Sequence, residues 1–124
     1  MLIDDNPDDN FFHIREIKKV GTLNIVVTLN SGSEALKYLA EKEEPRADLI
    51  FLDINMPGMN GWEFLERYKE LDTDLQGRAI IVMLTTSDNS DDIARAQKNP
   101  HVFNYITKPL TRQKMEDITH ACFK

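Results

Sequence analysis

The chain has 124 residues, of which 21 are acidic and 15 basic, a formal net charge of -6, and 41% hydrophobic residues. That length suits one domain around one core, and the acidic balance excludes a nucleic-acid binder in the electrostatic sense. No apolar stretch approaches the ~20 residues of a membrane span, no basic segment followed by an apolar block marks a signal peptide, and the single cysteine, Cys122, excludes an internal disulfide and points to the cytoplasm.

Taken in chain order, short β-rich apolar runs alternate with helical patterns. Residues 1–4 form a short first strand. Asn6-Pro7-Asp8-Asp9 then opens a helix: Asn6 suits the cap, Pro7 the first turn, and the two acids face the positive end of the helix dipole. Phe11, Ile14, Ile17 and Val20 supply its apolar stripe, and Gly21 ends it. A second strand, rich in β-branched residues, covers 24–29. Ser31 or Ser33 starts a helix carrying Leu36, Leu39 and Ala40, which stops before Pro45. The third strand covers 47–53. A third helix runs from Asn60 to about Leu71 with Phe64, Leu65 and Tyr68 inward. The connection LDTDLQG, residues 71–77, reads as a lengthened surface loop. The fourth strand covers 79–85, a weaker helix 90–98, and the fifth strand 102–107. Thr111 caps a last helix with Met115, Ile118 and Cys122 inward.

Five such β-α units argue for an α/β fold with a parallel sheet covered on both faces. Ligands of such sheets sit beyond the carboxyl ends of the strands. The first strand here ends in Asp4-Asp5, the third on Asp53, the fourth on Thr85, and the fifth in Thr107-Lys108-Pro109. Three carboxylates, a hydroxyl and an amine therefore share one edge. Ionised carboxylates placed so closely repel, and hard oxygen donors suit Mg²⁺ rather than zinc. His13, His101 and His120 are scattered and make no softer ligand set. A metal, a carboxylate nucleophile, a lysine and a hydroxyl together suit phosphoryl transfer. The stretch after Asp53 fits this: Pro57 and Gly58 shape a loop that aims backbone groups at the site, and Gly61 lets the next helix begin tightly.

The ordered set Asp4-Asp5, Asp53, Thr85 and Lys108-Pro109, with LDINMPGMNG between, closely resembles the receiver domain of two-component response regulators over essentially the whole chain. The resemblance implies a doubly wound, flavodoxin-like sheet of five parallel strands in the order 2-1-3-4-5 with five helices. It implies one receiver domain over 1–124 with no output domain, like the single-domain chemotaxis regulators. Asp53 is then the phosphoacceptor. Asp5, Asp53 and the Asn55 backbone carbonyl hold Mg²⁺, with Mn²⁺ able to substitute, and Asp4 acts mainly through water. Lys108 pairs with the phosphoryl group and its bond to Pro109 is cis. Thr85 moves toward the phosphoryl oxygen, and Tyr105 is the aromatic residue that turns inward with it. The fourth helix, fifth strand and fifth helix report the change.

The implied function is a switch that takes a phosphoryl group from a sensor histidine kinase or a histidine phosphotransfer protein and signals to another protein. It catalyses its own phosphorylation and hydrolysis but is a signalling module rather than a metabolic enzyme. Direct contact with nucleic acid or membrane is not implied, and a monomer or weak dimer is. Only Met1, Leu2 and Ile3 precede the acid pair, fewer than such domains usually carry, so a few residues of the native first strand are expected to be missing.

Two other functions fit the sequence less well. A phosphatase with an aspartate nucleophile needs an acid two residues after it, where this chain has Asn55. A receiver-like scaffold that never uses phosphate is opposed by the intact site. Other features stay structural. Asp88-Asn89-Ser90-Asp91-Asp92 lacks the glycine and glutamate of a calcium loop, with Ile93 and Asn99 in their places, and reads as a helix start. Trp62 reads as packing or partial surface, and Cys122 as a small buried hydrophobe.

Overall fold

The computed structural model describes residues 1–21, 24–76 and 79–122. Its five strands are β1 (Leu2–Ile3), β2 (Thr28–Leu29), β3 (Leu49–Leu52), β4 (Ile80–Thr85) and β5 (Val102–Thr107). All pair in parallel, in the order β2-β1-β3-β4-β5. The helices are α1 (Pro7–Val20), α2 (Gly32–Ala40), α3 (Gly61–Tyr68), α4 (Thr73–Gln76), α5 (Ser90–Lys98) and α6 (Arg112–Cys122). No helix among the described residues is long and apolar enough to cross a membrane.

Side chains alternate across a strand, so each strand feeds two cores. Ile3, Ile50, Leu52, Ile81 and Met83 pack on one face with Leu39, Phe64, Leu65 and Tyr68. Leu2, Leu49, Phe51, Val82 and Leu84 pack on the other with Ile17, Met115 and Ile118. A sheet buried on both faces explains why β3 and β4 read as unbroken apolar runs.

The helix starts follow from local chemistry. Asn6 Oδ1 accepts from the Asp8 and Asp9 backbone amides at 3.0 and 3.1 Å, with Pro7 at the first helical position. Ser31, not Ser33, caps α2 through the Glu34 amide. Asn60 and Glu63 form a reciprocal capping box on α3. Lys114 donates its backbone N–H to the Thr111 hydroxyl at the start of α6.

Several expectations are corrected. Phe11 does not face the core but is 65% exposed. The inner side of α1 carries Asn10, His13 and Glu16 beside Ile17, because its first turns lie over the polar strand ends rather than over the apolar sheet. The second strand pairs only at Thr28–Leu29, and the first, third and fourth are trimmed at their ends. The third helix stops at Tyr68. The connection after it holds the extra turn α4, where Gln76 Nε2 donates to the carbonyls of Tyr68 and Leu71; Gly77 lies outside the described residues. Trp62 is buried, with the Arg95 guanidinium 4.5 Å over its ring, tying α3 to α5.

Candidate phosphoacceptor and metal site

The register of β1 on β3 pairs Leu2 with Phe51 and Ile3 with Leu52. Continuing it by one residue sets Asp4 beside Asp53, and the Asp53 amide donates to the Ile3 carbonyl at 3.1 Å. The strand order thus brings together two acids 49 positions apart in sequence. Asp5 lies at the same edge, and Asp4, Asp5 and Asp53 each offer a carboxylate oxygen within 4.8 Å of the others. Asp4 and Asp53 are buried while Asp5 is exposed. Asp5 and Asp53 border an open cleft of about 530 Å³, which Asn55, Thr86 and Lys108 also line.

Each buried acid has fixed partners. Asp4 accepts from the Asn6 amide through Oδ1 at 3.0 Å and from Lys108 Nζ through Oδ2 at 2.7 Å. Burial raises the Asp53 pKa above the ordinary carboxylate value. Lys108 opposes that shift, the Asp4 charge adds to it, and hydrogen bonds from the Thr85 hydroxyl and the Asn55 backbone N–H oppose it. Thr85 is fully buried at the end of β4. Its Oγ1 also accepts from the Ser87 amide at 3.3 Å.

Lys108 supplies the site's cation. Its backbone N–H donates to the Thr85 carbonyl at 2.8 Å, which extends the β4–β5 pairing by one step. The Lys108–Pro109 peptide is cis. Only 8% of the lysine side chain is exposed, and its ammonium lies 2.7 Å from Asp4, 2.7 Å from Asp9 and 3.5 Å from Asp53. Burial works against the charged form, but hydrogen bonds to Asp4 and Asp9 and the Asp53 charge outweigh it and raise the lysine pKa.

The loop after Asp53 is held by close backbone packing. Gly58 adopts φ +79°, which favours glycine. A Cβ on Gly61 would lie 2.5 Å from the Asp53 carbonyl oxygen and 2.9 Å from the Ile54 Cα, so α3 can begin only on a glycine this close to the site. The Gly61 amide donates to the Ile54 carbonyl at 2.8 Å and closes the loop.

Tyr105 lies one element further out. It is half-buried on β5, and its hydroxyl donates to the Ser87 carbonyl at 2.6 Å. The Ser87 hydroxyl donates in turn to Asp92 on α5 at 2.7 Å. A hydrogen-bonded chain therefore links Thr85, Ser87, Tyr105 and the first turn of α5.

The structure thus gathers Asp4, Asp5, Asp53, Asn55, Thr85 and Lys108 at one edge and sets Tyr105 beside them. Sequence reasoning missed Asp9, which already had a local role as a first-turn acid on α1. The available signal was its place one turn beyond an acid pair at a strand end.

The chain matches the family model of the response regulator receiver domain over residues 1–120. It is 35% identical over 113 residues to the response regulator Rcp1 of Synechocystis sp., covering 87% of this chain and 74% of that protein. The Mn²⁺-bound form of Rcp1 superposes with a TM-score of 0.69, covering 96% of this chain and 88% of that one. A two-component response regulator from Cytophaga hutchinsonii superposes with a TM-score of 0.88 at 29% identity, covering 98% and 92% of the two chains. The phosphorylated cyanobacterial phytochrome response regulator RcpA gives 0.70 at 35% identity, covering 97% and 87%.

Proposed function

The chain belongs to the response regulator receiver domain family of two-component signalling, and from that premise we propose that Asp53 accepts a phosphoryl group from the phosphohistidine of a sensor histidine kinase or a histidine phosphotransfer protein. The observation that carries this reading is the convergence, at one edge of the sheet, of a buried carboxylate, a buried hydroxyl and a buried ammonium from three strand ends. A carboxylate oxygen of Asp53 attacks phosphorus. The P–N bond breaks, its electron pair stays on the imidazole nitrogen, and that nitrogen takes a proton from water. An acyl phosphate remains on Asp53.

Asp53 is in place for this step because its backbone is locked between β1 and Gly61. Thr85 and Lys108 supply donors for two phosphoryl oxygens. Asp5, Asp53 and the Asn55 carbonyl form an all-oxygen set that would hold Mg²⁺, or Mn²⁺ in its place. Asp4 already accepts from Lys108 and from the Asn6 amide, which fits contact through water rather than directly. When bound, the cation neutralises charge on the transferring oxygens. The Mn²⁺-bound Rcp1 and the phosphorylated RcpA are relatives in which those two states occur.

The readout is the face formed by α5, β5 and α6. Movement of Thr85 toward a phosphoryl oxygen would alter the hydrogen-bonded chain through Ser87 to Tyr105 and Asp92, and with it the seat of α5. Phosphoramidate, which carries the same P–N bond as phosphohistidine, tests the chemistry. With MgCl₂ it should add one phosphoryl group that reductive borohydride trapping maps to Asp53. Labelling at another residue, or none, would overturn the reading.

A further inference from the structure

We propose that Asp9 is a positioning residue for the phosphoryl group: its carboxylate holds the Lys108 ammonium toward α1 and competes with the phosphoryl oxygens for it. This rests on the phosphoacceptor reading of Asp53.

An ammonium has three N–H donors. Lys108 gives one to Asp4 and one to Asp9, each at 2.7 Å, and stands 3.5 Å from Asp53, beyond ordinary hydrogen-bond length. With 8% of its side chain exposed, the lysine has little access to water and divides its donors among these acids. The Asp9 backbone is fixed where it stands, since its amide donates to Asn6 Oδ1 in the first turn of α1. The positive end of that helix favours its carboxylate there. The Asp9 side chain is 36% exposed, so its oxygens can return to water when the lysine leaves. Asp4 is 6% exposed at its side chain and lacks that freedom. Of the two acids at 2.7 Å, Asp9 is therefore the releasable one.

A phosphoryl group on Asp53 brings further negative charge into the cleft. Asp9 opposes it twice, by withholding the lysine and by its own charge. The same negative charge favours a divalent cation. Removing it should therefore move the two affinities in opposite directions, whereas a mere loosening of α1 would weaken both.

The test measures two constants on the whole chain, for Asp9→Asn and, as a second neutral variant, Asp9→Ser. Mg²⁺ affinity is read by calorimetry, and beryllofluoride affinity at saturating Mg²⁺ by fluorine NMR. Asp9→Asn should bind beryllofluoride about 3- to 10-fold tighter and Mg²⁺ about 2- to 5-fold more weakly. Asp9→Ser should follow the same pattern. Asp9→Glu, which keeps the charge, should stay nearer wild type in both. Weakening of both constants in the neutral variants, or no change in either, would overturn the role of Asp9 while leaving Asp53 as the acceptor. Failure of the wild-type chain to bind beryllofluoride would overturn the phosphoacceptor reading and this proposal with it.

Discussion

Replacing Asp53 with asparagine should stabilise the metal-free protein. The side chain is 8% exposed and carries a charge that burial disfavours, so its pKa is raised. At an effective dielectric constant of about 20, Lys108 at 3.5 Å attracts it by about 4.7 kcal/mol. The buried Asp4, with an oxygen within 4.8 Å, repels it by at least about 3.5 kcal/mol on the same scale, and the exposed Asp5 adds a smaller, solvent-screened repulsion. Attraction to Lys108 and repulsion by Asp4 thus nearly offset, and the desolvation cost decides the sign. Asparagine keeps the shape and an acceptor oxygen for Thr85 but drops the charge. A net gain of about 1–2 kcal/mol follows. A carboxyl group whose folded pKa lies above the ordinary 3.8 stabilises the fold below that value and loses this contribution as pH rises through the raised pKa. The advantage of Asp53→Asn should therefore be full at pH 7 and fade toward pH 3. Urea unfolding in EDTA measures it as a higher midpoint with unchanged slope. Mg²⁺ should then stabilise wild type, by about 2.7 kcal/mol at one hundred times its dissociation constant, and the variant by less. A variant no more stable than wild type in EDTA at pH 7 would refute the reasoning.

Other predictions follow from individual contacts. Gly61→Ala places a methyl group 2.5 Å from the Asp53 carbonyl, so either α3 or the Asp53 backbone must shift; a loss of roughly 2–4 kcal/mol in urea unfolding is expected, with weaker Mg²⁺ binding. Asn60→Ala removes one arm of the capping box and should cost about 1 kcal/mol with little effect on the cleft. His13 is 2% exposed, and burial first and the Lys108 charge second lower its pKa from 6.5. Its contribution is present above pH 6.5 and lost as pH falls toward the lowered value, so wild type should weaken from pH 6.5 to 5 and His13→Leu should flatten that slope, as read by thermal unfolding.

The strand ends were legible because a doubly covered parallel sheet writes its strands as apolar runs, and the residue that breaks each run stands out. Asp53 after Ile50-Phe51-Leu52 and Thr85 after Val82-Met83-Leu84 are such breaks. The nearness of the first strand's acid pair to Asp53 was not encoded locally; it came from the strand order that the family resemblance supplied, and only the β1–β3 register puts Asp4 rather than Asp5 directly beside Asp53. Phe11 shows the limit of periodicity. Its spacing with Ile14 and Ile17 fits a helical stripe, yet the stripe that faces inward starts with Asn10 and His13, because α1 begins over polar strand ends. The turn α4 was hidden for a related reason: Gln76 satisfies carbonyls at the end of α3, a contact that no hydrophobic pattern marks. Asp9 was hidden because a first-turn acid needs no further explanation, and its partner lies 99 residues away.

The proposed switch requires Asp53 to be a nucleophile toward phosphorus. The mass of the intact chain after incubation with acetyl phosphate is the most direct measurement. With Mg²⁺, wild type should gain one phosphoryl group. In EDTA, and in Asp53→Asn with Mg²⁺, the mass should stay unchanged. An unmodified wild type, or a phosphoryl group that persists in Asp53→Asn, would contradict it.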